Sequence, residues 1–228
     1  MIEDHKRTEG SMRFIGDVHG KFKRYRELIR DIPASIQVGD MGVGFRKQHG
    51  ELKWSTNPPF DAMSEGSHRF IRGNHDNPGV CKQHKYYIPD GHTETIQGTK
   101  LMYIGGAVSI DKAWRTEGVD YWSDEELSYA ELTELIDKYV SFKPDIMITH
   151  DCPDSIANEM MMAFNTTKKD FPSRTRQALE GMFYHHQPKY WIFGHWHKTI
   201  SFSTLGTAFR CLGELEYLDM NLETLEEI

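Results

Sequence analysis

Short apolar runs recur at residues 12–15, 35–38, 68–71, 100–104, 145–149 and 190–193. Each is too short for a helix and reads as a buried strand. Between some of them the apolar period lengthens. Phe22, Tyr25, Leu28 and Ile29 share one helical face, closed by Pro33 two residues beyond Asp31. Ser123 and Glu126 have the spacing of a capping box and open a second helical pattern through Leu127, Leu132, Leu135, Ile136 and Tyr139. A third runs from about Thr175 through Leu179, Met182 and Phe183 and stops before Pro188. Strands alternating with helices predict an α/β architecture with parallel strands and helices packed on the sheet. From 199 to 220 the pattern turns β-rich, broken by Gly206 and Gly213, which predicts hairpin-like structure able to extend a second sheet.

Two polar stretches, 42–67 and 165–174, are long for plain connections in a compact domain and are candidates for substrate-facing loops. With no internal repeat and no Gly/Ser linker, residues 12–228 are expected to form one domain, and the polar stretch 1–11 an N-terminal extension outside it. A chain of 228 residues with 38% hydrophobic content is long enough to bury the core of one large domain. Its formal charge of -7 provides no global attraction to nucleic acid or anionic membranes, so any anionic substrate must be drawn locally. Neither nucleic-acid polymers nor membranes are expected partners. Cys81, Cys152 and Cys211 are widely spaced and form no C-x-x-C pair, which argues against a disulfide framework or a thiolate zinc site and points to a reducing cytoplasm. No apolar run approaches the roughly 20 residues of a membrane span.

The chemistry lies where the apolar runs end. Gly16-Asp17-Val18-His19-Gly20 follows the first run, Gly39-Asp40-Met41-Gly42 the second, Gly73-Asn74-His75-Asp76 the third, His150 the fifth and Gly194-His195-Trp196-His197 the sixth. The C-terminal ends of parallel strands share one edge of an open sheet, where residues distant in sequence converge. Carboxylates, an amide oxygen and imidazoles without thiolate suit Mn, Fe, Zn, Ni or Co better than an all-oxygen calcium cage. The set is too large for one ion. Two cations sharing a carboxylate would neutralise charge on a phosphoryl group and make hydroxide available near neutral pH.

D-x-H, G-D, G-N-H-D, an isolated His and G-H-x-H in this order resemble the calcineurin-like metallophosphoesterases, over residues 14–197. The resemblance implies a four-layer α/β/β/α sandwich and a hydrolase of phosphomonoesters or phosphodiesters, nucleotides among them. It also implies two divalent cations, Mn foremost. By similarity, Asp17, His19 and His197 would hold the first ion and Asn74, His150 and His195 the second, with Asp40 bridging. His75 would face the substrate as the general acid.

Two departures narrow the family reading. The protein-phosphatase branch carries an Asp and an Arg soon after its Gly-Asp, whereas here the run is Asp40-Met41-Gly42-Val43-Gly44-Phe45. That disfavours a protein phosphatase and leaves open what orients His75, with Asp76 as either its neighbour or a helix cap. Lys112 and Arg115, behind the strand at 100–104, are candidates to hold a substrate phosphate. Trp114, Tyr121 and Trp122 are candidates to stack on a base or to pack beneath a loop. The remaining histidines are expected to be superficial or structural. A catalytically silent metal-binding scaffold is the alternative from another class; the completeness of the ligand set argues against it.

Overall fold

A computed structural model describes residues 10–45, 58–164 and 172–228, together with the backbone of the short strands Lys47–Gln48 and Glu51–Leu52. Most of the expected N-terminal extension, and much of the candidate loops 42–67 and 165–174, lie outside the described residues. In chain order the elements are β1 (Ser11–Ile15), α1 (Phe22–Ile29), β2 (Ala34–Gln37), the two-residue strands β3 (Lys47–Gln48) and β4 (Glu51–Leu52), α2 (Phe60–Met63), β5 (Ser67–Phe70) and α3 (Pro78–Cys81). There follow β6 (Thr93–Ile96), β7 (Thr99–Ile104), α4 (Tyr129–Phe142), β8 (Ile146–Thr149), α5 (Asp154–Ala163), α6 (Arg174–His185) and β9 (Tyr190–Phe193). The chain ends with β10 (Ile200–Thr204), β11 (Thr207–Cys211), β12 (Tyr217–Asn221) and β13 (Glu226–Glu227).

All six apolar runs are strands. They divide between two sheets, ordered β13-β12-β1-β2-β5 and β10-β11-β9-β8-β7-β6. In the first, β1, β2 and β5 are parallel; in the second, β7, β8, β9 and β11 are. The central strands β8 and β9 and most of β7 are apolar because both of their faces are covered. Period-two alternation sends Phe14, Ile36, Leu101, Tyr103, Ile146, Ile148 and Ile192 into one cluster between the sheets. Met102, Met147, Trp191 and Phe193, from the opposite face of the second sheet, pack with residues of α4, α5 and α6. On the outer face of the first sheet, Ile15 and Phe70 pack with Tyr25, Leu28 and Ile29 of α1 and with Met63 and Cys81. The result is helices, sheet, sheet, helices, the four layers that the family resemblance implied.

The β-rich tail serves both sheets. The β10–β11 hairpin extends the second sheet, while β12 returns to lie antiparallel to β1 and carries β13 to the edge of the first. One expected start is displaced. The capping box of α4 is Ser128 with Glu131, not Ser123 with Glu126: Glu131 accepts the Ser128 N–H at 2.8 Å and Ser128 Oγ accepts the Glu131 N–H at 3.3 Å. Glu126 has turned inward instead, where it accepts from Ser173 Oγ at 2.7 Å and Thr175 N at 3.0 Å. A buried donor pair outweighs an exposed cap, because orphaned buried donors cost more than the cap gains. Helix α5, absent from the sequence expectations, buries Ile156, Ala157 and Met160.

Ile148 is fully buried between the sheets. Ile148→Ala is expected to lower the unfolding free energy by about 2–5 kcal/mol, read from the midpoint of urea denaturation at unchanged slope.

Candidate active site

The strand ends set the site. After β1 the chain passes through Asp17 and His19, after β2 through Asp40, after β5 through Asn74 and His75, after β8 through His150 and after β9 through His195 and His197. His19, Asp40, His195 and His197 adopt left-handed backbone, with φ of 48°, 56°, 66° and 51°. Such conformations cost energy for non-glycine residues and gather where side chains must be aimed. The glycines admit close approach: a Cβ on Gly73 would overlap Asp40 Oδ1 and one on Gly39 the His150 ring.

Two clusters result, and they share Asp40. Asp17, His19, Asp40 and His197 each offer a donor atom within 4.8 Å of the others, as do Asp40, His150 and His195. His197 Nε2 lies 3.2 Å from Asp17 Oδ2 and 2.9 Å from His19 Nε2, and His19 Nε2 lies 3.7 Å from Oδ2 of both Asp17 and Asp40. Asp17 Oδ2 is buried and faces the His197 and His19 imidazoles without a well-formed hydrogen bond among the described residues, whereas Oδ1 accepts from His195 N at 3.0 Å. In the second cluster Asn74 Oδ1 faces His150 Nε2 at 3.2 Å and His195 Nδ1 at 3.0 Å, and Asp40 Oδ1 is 3.3 Å from His150 Nε2. His150 donates from Nδ1 to Val38 O at 2.9 Å, which turns Nε2 toward these oxygens.

The electrostatics call for positive charge. Burial alone would raise the Asp17 and Asp40 carboxyls, but the surrounding histidines hold both below the usual carboxylate range. Burial opposes a charge on His150, yet Asp40 and Asp17 push it up to about 10. A buried carboxylate oxygen and inward-facing imidazole nitrogens fit divalent cations of borderline hardness. The residues present therefore suit the metals that the sequence pattern suggested.

Among the described residues no carboxylate pairs with the His75 ring. Its ring stacks on Phe45 (centroids 4.8 Å apart, planes at 14°) and meets the edge of His19 at 4.9 Å, while its backbone N–H donates to Asp40 Oδ1 at 2.7 Å. Arg115 Nη2 lies 2.7 Å from His75 Nε2. A guanidinium only donates, so Nε2 is the acceptor and the imidazole is neutral. Burial, with a smaller contribution from Arg115, lowers His75 to about 4 against the opposing pull of Asp40. Arg115, one of the two phosphate-holding candidates, is thus at the site, ion-paired to Asp111 at 2.7 Å. Lys112 is exposed and makes no side-chain hydrogen bond or ion pair among the described residues. Trp114 is 85% exposed, whereas Trp122 is buried against Phe45.

Asp76 neither contacts His75 nor caps α3. Its carboxylate accepts from the N–H groups of Gly42, Val43 and Gly73 at 2.7, 2.7 and 2.8 Å and from Met41 at 3.2 Å. The cap of α3 is Asn77, which accepts from Val80 N at 3.2 Å. Burial and the nearby Asp40 push Asp76 up to about 6, against the N–H groups of Gly73, Val43 and Gly42, which favour its ionised form. It ties the turn bearing Asp40 to the turn bearing Asn74. Glu125, buried and pushed up to about 7 chiefly by its burial, accepts from Ser109 N at 2.8 Å and Ser109 Oγ at 2.5 Å. Ser109 Oγ accepts in turn from Asn74 Nδ2 at 3.0 Å. Phe45, Ser109 and Glu125 escaped sequence reasoning as site-building residues, and Asp76 was singled out there for roles other than the one it has.

Residues 12–199 match the family model of the calcineurin-like phosphoesterases. The chain belongs to that family of metal-dependent hydrolases of phosphate esters. No curated protein matches it. Solved structures of similar fold include the phosphopantetheinyl hydrolase of Mycobacterium tuberculosis, 11% identical over 90% of this chain and 89% of that one with a TM-score of 0.54. Another is an archaeal phosphodiesterase, 12% identical over 96% of this chain and 97% of that one with a TM-score of 0.45. The first likeness is one of fold alone. Among the described residues no helix is long and apolar enough to cross a membrane.

Removing the Asp76 carboxylate orphans four backbone donors, each worth about 1–3 kcal/mol when buried. Asp76→Ala is expected to lose about 3 kcal/mol or more of stability, measured by urea denaturation of the metal-free protein. A variant as stable as wild type would show that the brace carries no energy.

Proposed function

We propose that the chain is a dinuclear metallophosphoesterase acting on small phosphodiesters or phosphomonoesters, nucleotides among them. The observation that carries this reading is that Asp40 belongs to both donor clusters. Asp17, His19 and His197 would hold one cation and Asn74, His150 and His195 the other, with Asp40 shared. Bound there, two cations supply Lewis-acid neutralisation of a phosphoryl group and acidify water for use as the nucleophile. The completeness of this donor set favours an enzyme over a silent scaffold.

The remaining roles fall to the chain's own side chains. An anionic phosphoryl group would draw the Arg115 N–H groups from His75, and Arg can grip two of its oxygens. Freed of Arg115 and facing an anion, His75 Nε2 can take a proton from solvent and pass it to the leaving oxygen as the ester P–O bond breaks. Arg115 is the one guanidinium hydrogen-bonded to His75 among the described residues, and its charge is shared with Asp111. A diester monoanion suits this modest clamp better than the dianion of a phosphorylated protein side chain. A protein phosphatase is therefore the weaker reading.

Elemental analysis of the Mn-reconstituted protein is expected to find close to two ions per chain, and Asp40→Asn to lose both together because one carboxylate serves both. One ion or none in the wild type would sink the dinuclear reading.

His75→Ala should retain its metal while turnover falls by about 10²- to 10⁴-fold, more steeply for alkyl than for aryl leaving groups. Arg115→Ala should raise KM more than it lowers kcat. Comparing kcat/KM for bis-p-nitrophenyl phosphate, p-nitrophenyl phosphate and a phosphoserine peptide tests the substrate class. A phosphopeptide as the best substrate would transfer the chain to the protein-phosphatase reading.

A further inference from the structure

Asn74 is the one proposed ligand whose side chain has two chemically opposite ends. Its oxygen can bind a cation and its NH2 cannot. The rotamer alone does not choose between them, since a half-turn of the amide exchanges the two at almost no steric cost. Something must impose the choice. His150 and His195 would not once a cation is held: with Nδ1 of His150 donating to Val38 O, its Nε2, like the facing nitrogen of His195, would offer a lone pair to the cation and no proton to Asn74.

The other end of Asn74 faces a chain whose polarity is set by Glu125 in its ionised, acceptor-only form. Asn74 Nδ2 is 3.0 Å from Ser109 Oγ, Ser109 Oγ is 2.5 Å from Glu125 Oε2, and Ser109 N is 2.8 Å from Glu125 Oε1. All three residues are buried, at 2%, 1% and 3% exposure, so water does not compete for these bonds. The carboxylate receives both donors of Ser109, the N–H and the O–H. With its hydrogen committed to Glu125, the hydroxyl has only lone pairs to offer Asn74, and a lone pair selects the NH2 end. The amide oxygen is thereby turned to His150 and His195.

We infer that Ser109 and Glu125 are positioning residues that set the orientation of the Asn74 amide, so that an oxygen and not an NH2 group meets the cation shared with His150 and His195. This rests on the dinuclear reading above. Outer-shell hydrogen bonds of this kind are generally worth 10- to 100-fold in metal affinity. Hydrogen-bond polarity makes a sharper demand than proximity does. Glu125→Gln keeps shape and volume but places an NH2 group against either the hydroxyl or the N–H of Ser109, which reverses or breaks the chain.

The test is Mn2+ binding by isothermal titration and equilibrium dialysis, with thermal melts to confirm folding. The panel is wild type, Ser109→Ala, Ser109→Thr, Glu125→Gln and Asn74→Asp, together with the double variants Asn74→Asp/Ser109→Ala and Asn74→Asp/Glu125→Gln. Ser109→Ala and Glu125→Gln are expected to weaken one of the two sites by about 10- to 100-fold and leave the other near wild type, while Ser109→Thr, which keeps the hydroxyl, retains both. In the Asn74→Asp background both ends of the side chain are oxygen, so the same substitutions should cost less than about threefold. Wild-type binding of two ions by Ser109→Ala and Glu125→Gln would overturn the inference alone. An equal loss in the Asn74→Asp background would also overturn it, by marking the effect as general packing. A wild type that fails to bind two ions would instead bring down the dinuclear reading on which the inference stands.

Discussion

Two carboxylates, Asp17 and Asp40, are buried side by side at the edge where the two sheets meet, and no Lys or Arg pairs with either among the described residues. Burying an ionised carboxylate without compensation is among the largest penalties a protein can incur. Here the compensation is four imidazoles and a backbone N–H on each carboxylate, an arrangement that accepts divalent charge far better than it balances itself. Much of the surrounding structure serves to hold this concentration of negative charge in place. Left-handed backbone aims the side chains, the glycines admit close approach, and four N–H groups anchor Asp76 between two of the turns.

The fold makes that arrangement affordable by putting rigidity where aim matters. Strands whose two faces are both covered cannot slide by one residue without exchanging a core for a different core. The residues just past their C-terminal ends inherit that register. Asn74 illustrates the next level of control: β5 sets its position, Asp76 its loop, and the polarity of Ser109 and Glu125 which atom it presents.

Around His75 the chain differs from the protein-phosphatase pattern by replacing a carboxylate partner with an aromatic face and a guanidinium. Phe45 fixes the plane of the ring, and Arg115 occupies the nitrogen that would face a leaving group. A carboxylate would raise the basicity of this imidazole; an Arg and burial lower it. In the proposed reading the substrate's negative charge would add to that of Asp40 and draw Arg115 away, which would tie proton transfer to occupancy of the site.

Much was legible in the sequence because it was local. Apolar runs marked the six strands, and short polar motifs at their ends marked Asp17, His19, Asp40, Asn74, His75, His150, His195 and His197, since a residue following a buried strand has only one edge to go to. The family resemblance supplied the four layers, and Arg115 was found by its place behind a strand. What stayed hidden depended on partners far along the chain. Ser123 and Glu126 had the spacing of a cap, but Ser173 and Thr175 drew Glu126 inward and moved the cap to Ser128. Asp76 looked like a neighbour of His75 and proved to serve Met41, Gly42 and Val43, some 35 residues earlier in the chain. Glu125 carried no motif, and its position gains meaning only through Ser109. The sequence by itself determined which side chains stand at the strand ends, because the apolar pattern dictates where strands stop. Only the tertiary structure decided which atoms those side chains present, because hydrogen-bond polarity and burial are settled by whatever packs against them.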